Sequence, residues 1–445
     1  MQSIKMEKAE NLGAMLRAFA LEPLMEDSLS FYYDKTMASR TGDEHSSPLE
    51  DLFDDCTTSY STNAHLLLGH RGCGKSTELN NLKRRFEKYE QPVCIIDSNI
   101  ETDLFQINHW DIMLLITYGL CKIAEEKNAD IPDGTLENVL AYLKQDVDIT
   151  ETKNKSASAE ISGGAEVKTP PLINILIELF AYLKSNLKVS VETRTTIRTK
   201  MEKRASEWVR YTEEISNYIA DKCEGKRPII IFEGLDKIPD PRKIFDLLSF
   251  SALAQMPFPV IYTFPISQFY SSEFAKLSGL YRHHVLPMIK VKNLDKSENN
   301  AGIDVIRKIV ELRANPQLFE SREVLEMMIK QTGGSLRHLF DCIHSAARRA
   351  ARRDAGKIEN EDAERAFSDL KHELTVQISE PDFPDLINVY TNPIYKERIS
   401  NRDFLLGKMH SSVVLEYRNG ERWHDLHPLI AEFLKKQGVI NDASN

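Results

Sequence analysis

A glycine-rich segment near residue 70 limits the fold of this chain more than any other feature of its sequence. It reads Gly-His-Arg-Gly-Cys-Gly-Lys-Ser over residues 69–76, and it follows a short apolar run at 65–68. Residues 76–86 carry apolar side chains at helical spacing, and another apolar run lies at 92–97. The order strand, glycine loop, helix, strand predicts a βαβ unit and therefore a parallel sheet.

The spacing G-x-x-x-x-G-K-[ST] gives this loop a specific chemistry. Glycines let consecutive main-chain N–H groups point at a phosphate, and the N-terminus of the following helix adds its positive dipole end. We expect Lys75 to pair with the β- and γ-phosphates of ATP, Ser76 to bind Mg²⁺ and Thr77 to lie beside the α-phosphate. The alternative is a chance glycine turn before a helix. The predicted nucleotide-binding residues of the loop are Gly69, His70, Arg71, Gly72, Cys73, Gly74, Lys75, Ser76 and Thr77.

A later apolar run ends in acidic residues. Residues 229–237 read Ile-Ile-Ile-Phe-Glu-Gly-Leu-Asp-Lys, so a predicted buried strand ends at Glu233. A carboxylate at the carboxyl edge of a parallel sheet can face the metal ion of a nucleotide, as in the Walker B arrangement. We therefore expect Glu233 to hold Mg²⁺ together with Ser76. An ordinary core strand followed by a solvated acidic turn is the alternative.

These two segments resemble the AAA+ ATPases, particularly the initiator-type clade and the related STAND signalling ATPases. In those families the strand carries an acid, a second acid and then Leu-Asp. On that pattern Glu233 stands for the metal-side Asp, Gly234 falls where many members have the water-activating Glu, and Asp236 matches the later acid. Because Gly234 offers no base, the resemblance implies slow hydrolysis in which Asp236, another side chain or a partner orients the water.

A third segment of the resemblance follows the predicted sheet. Residues 332–340 read Thr-Gly-Gly-Ser-Leu-Arg-His-Leu-Phe and are similar to the sensor-2 segment of initiator-type AAA+ proteins. The resemblance implies that Arg337 reaches the γ-phosphate from a helical lid and distinguishes ATP from ADP. The alternative is a helix capped by Ser335 with Arg337 in solvent. The predicted catalytic residues are thus Lys75, Glu233, Asp236 and Arg337.

The same resemblance supplies weaker candidates. Thr263, at the end of a strand, lies near the sensor-1 position, and Arg282 is a candidate arginine finger toward a neighbouring subunit. A strand threonine is more often simply structural. Tyr33 and Arg40 precede the glycine loop, in the region where AAA+ proteins often contact adenine.

Five apolar strand candidates define the core. They lie at 65–68, 92–97, 228–232, 259–264 and 285–291. We predict an α/β, three-layer P-loop core with a five-stranded parallel sheet of the ASCE/AAA+ type that the resemblance implies. Helical patterns fill most of 109–222, interrupted by a polar segment at 148–169 that is expected to be a mobile loop. One predicted helix carries an apolar stripe of Ile197, Met201, Trp208, Ile215 and Ile219.

These patterns divide the chain into four parts. The predicted parts are an N-terminal lead-in at 1–60, the ATPase core at 61–295 with a helical insertion at about 100–225, a helical lid at 296–378 and a winged-helix-like module at 379–445. The module is predicted from helices around a hairpin whose turn is Asn419-Gly420. His424 and His427 lie in it without a third ligand at metal-binding spacing and are read as packing residues.

The chain has 57 Lys and Arg against 67 Asp and Glu, which gives a net charge of -10. This charge excludes a protein that coats nucleic acid through an overall positive charge. Any contact with DNA needs a local basic patch. Arg348, Arg349, Arg352 and Arg353 share one helix face, although such a stripe more often pairs with acids such as Glu359 and Glu361. Six cysteines without metal-binding spacing, no secretory signal and no apolar run near the roughly 18 residues of a membrane span favour a cytoplasmic protein.

Three functions remain open at this point. The first is an ATP- and Mg²⁺-dependent molecular switch that regulates a protein partner or a homo-oligomer, a layout that resembles regulatory ATPases of prokaryotic conflict or mobile-element systems. The second is an initiator-like ATPase that grips DNA through its C-terminal module, which the net charge of -10 disfavours. The third is a scaffold that binds nucleotide for stability alone.

Overall fold

The predicted strands form one parallel sheet. The computed structural model describes residues 6–58, 63–144, 172–189, 195, 198–199, 202, 205–394 and 402–440. The strands are β1 (Ala64–Gly69), β2 (Val93–Asp97), β3 (Ile229–Glu233), β4 (Val260–Pro265) and β5 (Arg282–Val285). Their order is β2-β3-β4-β1-β5. Because β4 lies between β1 and β3, the sheet has the strand order of ASCE-type P-loop proteins, the class that includes AAA+ ATPases.

The predicted bounds of the fifth strand, 285–291, are wrong. The hydrogen-bonded strand covers Arg282–Val285, and the buried segment that follows it is irregular. Pro287 has no N–H to give to a β ladder, which disfavours continuation of the strand through it. The apolar run at 286–291 instead fills two apolar layers, since Leu286 and Met288 pack in one of them and Ile289 and Val291 in the other.

Helices cover both faces of the sheet and continue beyond it. The α-helices that the structure describes are α1 (Leu12–Ala18), α2 (Met37–Thr41), α3 (Pro48–Thr57), α4 (Lys75–Lys88), α5 (Ser98–Glu101), α6 (His109–Glu126), α7 (Asp133–Lys144), α8 (Leu172–Val189), α9 (Ala205–Lys222), α10 (Lys243–Leu248), α11 (Ser251–Ala254), α12 (Ile266–Phe269), α13 (Ala275–Ser278), α14 (Asn300–Arg313), α15 (Arg322–Gln331), α16 (Leu336–Arg352), α17 (Asn360–Thr375), α18 (Phe383–Thr391), α19 (Arg402–His410) and α20 (Pro428–Lys436).

The alternation of side chains along the strands explains the two layers. Leu67, Ile231 and Ile261 point to the face that α3 and α4 cover, whereas Leu66 and Ile230 point to the face that α6 covers. All five side chains are fully buried, as expected for a parallel sheet covered on both faces. The core is therefore the predicted three-layer α/β arrangement.

The helical insertion packs on the α6 side of the sheet. Trp208, Ile215 and Ile219 of α9 are buried in the same apolar cluster as α6, which confirms this part of the predicted stripe. Ile197 and Met201 lie outside the described residues, as does the loop predicted at 148–169.

The lid and the C-terminal module complete the fold. Helices α14 to α17 form the lid, and a two-stranded antiparallel hairpin of β6 (Val414–Asn419) and β7 (Glu421–Leu426) lies among α18 to α20. Helices around one hairpin confirm the winged-helix-like organisation of this module. None of the described helices is both long and apolar enough to cross a membrane.

Candidate functional site

The glycine loop connects β1 to α4 at the carboxyl edge of the sheet. Gly72 and Gly74 have φ values of 87° and 102°, which are strained for any residue with a side chain. A Cβ on Gly72 would also lie 2.6 Å from the Cβ of Arg337 in the lid. Glycine is therefore required here both by the backbone conformation and by the close approach of the lid.

Lys75 begins α4 and is buried beneath the loop. Its Nζ donates to the carbonyl oxygens of Gly69 and His70 at 2.9 Å each and lies 2.8 Å from Oδ2 of Asp236. Burial favours the neutral form of the lysine, but the Asp236 carboxylate outweighs it and raises the pKa of Lys75. Burial likewise opposes ionisation of Asp236, yet the nearby ammonium holds its pKa below the usual value. The two side chains form a buried ion pair.

Ser76 and Glu233 meet directly behind this pair. The Ser76 hydroxyl donates to Oε1 of Glu233, and the same oxygen accepts from Lys237 Nζ at 3.3 Å. Burial raises the pKa of Glu233, while Lys237 and the Ser76 hydroxyl oppose that effect. A hydroxyl and a carboxylate that contact each other are the oxygen ligands that Mg²⁺ takes in nucleotide sites, so both residues fit the predicted metal role.

Gly234 and Thr263 fix the turn that follows β3. The N–H of Gly234 donates to Oγ1 of the fully buried Thr263 at 2.9 Å, so the sensor-1 candidate lies against the acidic segment. Gly234 has a φ of 100°, and a Cβ there would lie 2.4 Å from Oγ of Ser98 and 2.7 Å from Nδ2 of Asn99. The space that a side chain at position 234 would need is therefore occupied by the start of α5.

Arg337 lies against the glycine loop and not in solvent. Ser335 caps α16 by accepting from the N–H of His338 at 3.3 Å, and the Arg337 N–H faces the Gly72 carbonyl oxygen at 3.4 Å. Burial and then the neighbouring Arg71 lower the pKa of Arg337. Two guanidinium groups thus share the mouth of one cleft, which suits a strongly anionic ligand.

This cleft runs from the loop to the lid and has an open volume of about 1010 Å³. One end is lined by residues of the glycine loop, whereas the other end is lined by residues 20–24, Tyr33, Ile309 and Phe340. Leu24 is tied to α4, because its N–H donates to Oγ1 of Thr77 at 3.3 Å. An apolar end beside a cationic end suits a ligand that carries both an apolar ring and anionic groups.

Arg40 and Glu78 form a buried ion pair beside the glycine loop that the sequence did not predict. Arg40 is 1% exposed, and its guanidinium donates to the carbonyl oxygens of Cys73 and Pro287 at 3.0 and 2.6 Å. It also lies 3.5 Å from the buried Glu78 carboxylate. Arg40 therefore fixes the loop backbone, whereas the resemblance suggested only proximity to adenine. No local pattern around either residue signals this long-range contact.

The C-terminal hairpin also contacts the loop, which the sequence did not indicate. The N–H of Glu416 donates to Nε2 of His70 at 2.8 Å, and the Tyr417 hydroxyl donates to the Gly333 carbonyl oxygen at 2.7 Å. Beside them, His410 of α19 lines a small cavity with Arg71 and Asp236, among others. The module thus reaches the end of the cleft that the glycine loop lines.

Arg282 and the basic stripe lie away from this cleft. Arg282 is at the start of β5, with Nε 2.7 Å from Oδ2 of Asp55, at the opposite end of the strands from the glycine loop. In the stripe, Arg349 pairs with Asp369, and Arg353 pairs with Glu359 and Asp362. The expected pairing with acids therefore occurs, although Glu361 pairs with Arg365. His424 and His427 are buried, as predicted for packing residues.

No protein family and no curated protein matches this sequence. Solved structures similar to it include the Orc1 protein of Aeropyrum pernix in complex with DNA, at 12% identity and a TM-score of 0.38, with 94% of this chain and 96% of that chain covered. The Orc2 protein of Aeropyrum pernix in ADPNP-ADP complexes has 12% identity, a TM-score of 0.36 and coverages of 88% and 90%. Cdc6p from Pyrobaculum aerophilum has 12% identity, a TM-score of 0.33 and coverages of 94% and 100%. By its own strand order and by the glycine loop between β1 and α4, this chain has the ASCE-type P-loop fold, the fold class to which AAA+ ATPases belong.

Proposed function

We propose that this chain is an ATP-binding AAA+/STAND-like ATPase that works as a nucleotide-controlled switch. The observation that carries the proposal is that both the lid and the C-terminal hairpin contact the same glycine loop. Gly72 faces Arg337, and His70 accepts from Glu416. A phosphate bound by this loop would therefore act on both parts at once.

The loop residues would bind the triphosphate, and Ser76 with Glu233 would hold Mg²⁺. When bound, the metal ion neutralises phosphate charge. Lys75 now pairs with Asp236, so phosphate oxygens would compete with this carboxylate for the ammonium. Asp236 would then be free to accept a proton or orient water. With Gly234 beside it in place of a base, we propose slow or partner-stimulated hydrolysis.

The route from the phosphate to the module is short. Arg337 would bind ATP and ADP differently, because only ATP has a γ-phosphate for its guanidinium. His338, the next residue, lies with Nδ1 3.1 Å from Nε2 of His427 at the start of α20. A displacement of α16 would thus reach the module through adjacent side chains. We propose that the released module engages a protein partner or a second copy of the chain, as in prokaryotic conflict systems.

Turnover, binding and particle size of the purified full chain test this proposal together. Wild type is expected to bind ATP, hydrolyse it slowly and change its size or shape between ATP and ADP. Glu233→Gln should retain binding and lose hydrolysis, because the amide cannot replace the carboxylate at the metal. Lys75→Ala should lose binding.

Two controls separate these outcomes. Lys75→Ala leaves Asp236 buried without its ion-pair partner, so Lys75→Ala/Asp236→Asn tests whether lost binding is merely lost folding. Addition of duplex DNA tests the initiator-like alternative, since strong, salt-sensitive stimulation of hydrolysis would favour it. Unchanged ATP binding in folded Lys75→Ala would refute the glycine loop as the nucleotide site.

A further inference from the structure

Three metal-binding side chains meet on the side of the sheet where α3 packs. Asp55 of α3, His65 of β1 and His284 of β5 are all buried, and their ligand atoms lie within 4.8 Å of one another. Nε2 of His284 is 3.4 Å from Oδ2 of Asp55. The sequence gives no sign of this cluster because its members come from segments far apart in the chain.

The strand register explains why the two imidazoles share a face. His65 and Leu67 are two residues apart on β1, so their side chains lie on the same side of the sheet. Leu67 pairs directly with His284 of β5, which places that imidazole on the same side. Helix α3 covers this side of β5, and its Asp55 completes the cluster.

The surroundings of the cluster are apolar. Leu49, Leu52, Phe53 and Cys56 of α3 belong to the apolar layer that also contains Leu67. Nε2 of His284 makes no hydrogen bond to the described residues, although polar groups in such a layer are costly unless they find a partner. An ion that takes electron pairs from two imidazoles and one carboxylate would satisfy this requirement.

We propose that Asp55, His65 and His284 bind one divalent transition-metal ion of the Zn²⁺ class. Two histidines, one carboxylate and a further open position form a common zinc ligand set. Ligand atoms around tetrahedral zinc lie about 3.3–3.5 Å apart, given bond lengths of about 2.0–2.2 Å. The Asp55–His284 distance of 3.4 Å already matches this separation. All three ligand atoms lie within 4.8 Å of one another, so small side-chain shifts would complete the site.

Arg282 would compete with a metal ion for the carboxylate of Asp55. Its Nε lies 2.7 Å from Oδ2 of Asp55, and its side chain is 54% exposed. A metal ion would take over the carboxylate, and the half-exposed guanidinium could turn into solvent at little cost. Removal of this cation should therefore raise metal affinity. The bound ion would join the edge strand β5 to β1 and α3, independently of the proposed nucleotide switch.

The first experiment is titration of Zn²⁺ and of Co²⁺ into the chelator-treated full chain, with ATP and Mg²⁺ present in excess. We expect saturable binding of one ion per chain and, for Co²⁺, the intense visible absorption of a low-coordinate nitrogen and oxygen site. His65→Gln and His284→Gln should each weaken binding by more than about 100-fold, because even the loss of an outer partner of a ligand costs about 10- to 100-fold. Arg282→Gln should strengthen it.

Two matched controls locate the ion. His283→Gln removes the exposed neighbour of His284 on β5, and His338→Gln removes one member of the other close histidine pair. Both should bind Zn²⁺ as wild type does. The proposal is overturned if wild type shows no saturable binding, if folded His65→Gln/His284→Gln binds equally well, or if His338→Gln abolishes binding. Should the ligand variants fail to fold, unchanged or weaker affinity in Arg282→Gln overturns it.

Discussion

The main-chain N–H of Glu416 donates to Nε2 of His70 at 2.8 Å, and this hydrogen bond joins the C-terminal hairpin to the loop that ends at Lys75. Burial lowers the pKa of His70 to about 4, so its imidazole is neutral near pH 7 and can accept. The Glu416 carboxylate is held in turn by the hydroxyl of Tyr270 at 2.6 Å. Glu416 thus binds the hairpin to the loop through its main-chain N–H and to the core through its carboxylate.

Replacement of His70 should loosen the hairpin. His70→Ala leaves the buried Glu416 N–H without an acceptor, which costs about 1–3 kcal/mol of docking free energy. We expect faster hydrogen exchange over residues 414–426 and faster release of bound ADP. His70→Gln, which keeps a side-chain acceptor, should show a smaller change, and the exposed His45→Ala should show none. Equal exchange in His70→Ala and wild type would mean that this hydrogen bond does not hold the hairpin.

Arg337 should determine the preference for ATP over ADP. Its main-chain N–H faces the Gly72 carbonyl oxygen and its side chain lines the cleft, so we expect the guanidinium to lie near the γ-phosphate, where the two nucleotides differ. Arg337→Ala should lower ATP affinity by about 10-fold or more while ADP affinity changes little, since a charge-assisted hydrogen bond contributes about 1.5–3 kcal/mol. Titration of both nucleotides measures the ratio. Arg352→Ala, an exposed arginine at the end of the same helix, serves as the control. Parallel losses for ATP and ADP would contradict the sensor role.

Gly234→Glu should not restore fast hydrolysis, although it recreates the residue that many AAA+ proteins carry there. The φ of 100° strains any side chain at this position, and the Cβ would lie 2.4 Å from Oγ of Ser98. We expect a loss of about 1–3 kcal/mol in the free energy of unfolding, with turnover no faster than wild type. Chemical denaturation and steady-state turnover measure the two quantities. A stable variant with faster turnover would show that the start of α5 rearranges readily.

Local sequence patterns predict the structure correctly where one short segment determines both its own conformation and its own contacts. The strand before Gly69, the loop that positions Lys75 and the strand that ends at Glu233 each carry their own periodicity and turn residues. Ser335 as a helix cap is equally local, because its hydroxyl accepts from a residue three positions on. Around Pro287 the local pattern predicts the wrong structure, because the apolar residues there are buried but do not pair in a β ladder.

Contacts between distant segments were not predictable in this way. Arg40 reaches the loop carbonyl of Cys73, and the pairing of Glu416 with His70 spans 346 residues. Neither contact leaves a spacing signature. The first depends on how α2 packs against the loop, and the second depends on how the C-terminal module folds back onto the core. The resemblance to AAA+ proteins placed Arg337 correctly near the loop but carried no information about the hairpin that lies beside it.

The free energy of unfolding should fall as the pH drops through the usual pKa of histidine. Burial lowers the pKa of His70 to about 4, and burial together with Arg337 lowers that of His338 to about 4. In the unfolded chain both imidazoles titrate near pH 6.5. Above that value neither state binds the proton, so the stability is fully present. Between about pH 6.5 and 4 the unfolded state takes up protons that the folded state excludes, which favours unfolding.

Each of these two histidines should therefore remove about 2 kcal/mol from the free energy of unfolding between pH 7 and pH 5. Urea denaturation at the two pH values measures this loss directly. His70→Gln should reduce the pH dependence by about 2 kcal/mol, because Gln keeps an acceptor for Glu416 but does not titrate. His45→Gln, at an exposed site, should leave the pH dependence as it is in wild type. If His70→Gln loses as much stability as wild type over this interval, the His70 imidazole takes up its proton as readily in the folded chain as in the unfolded chain, and the hydrogen bond from Glu416 does not hold it in the neutral form.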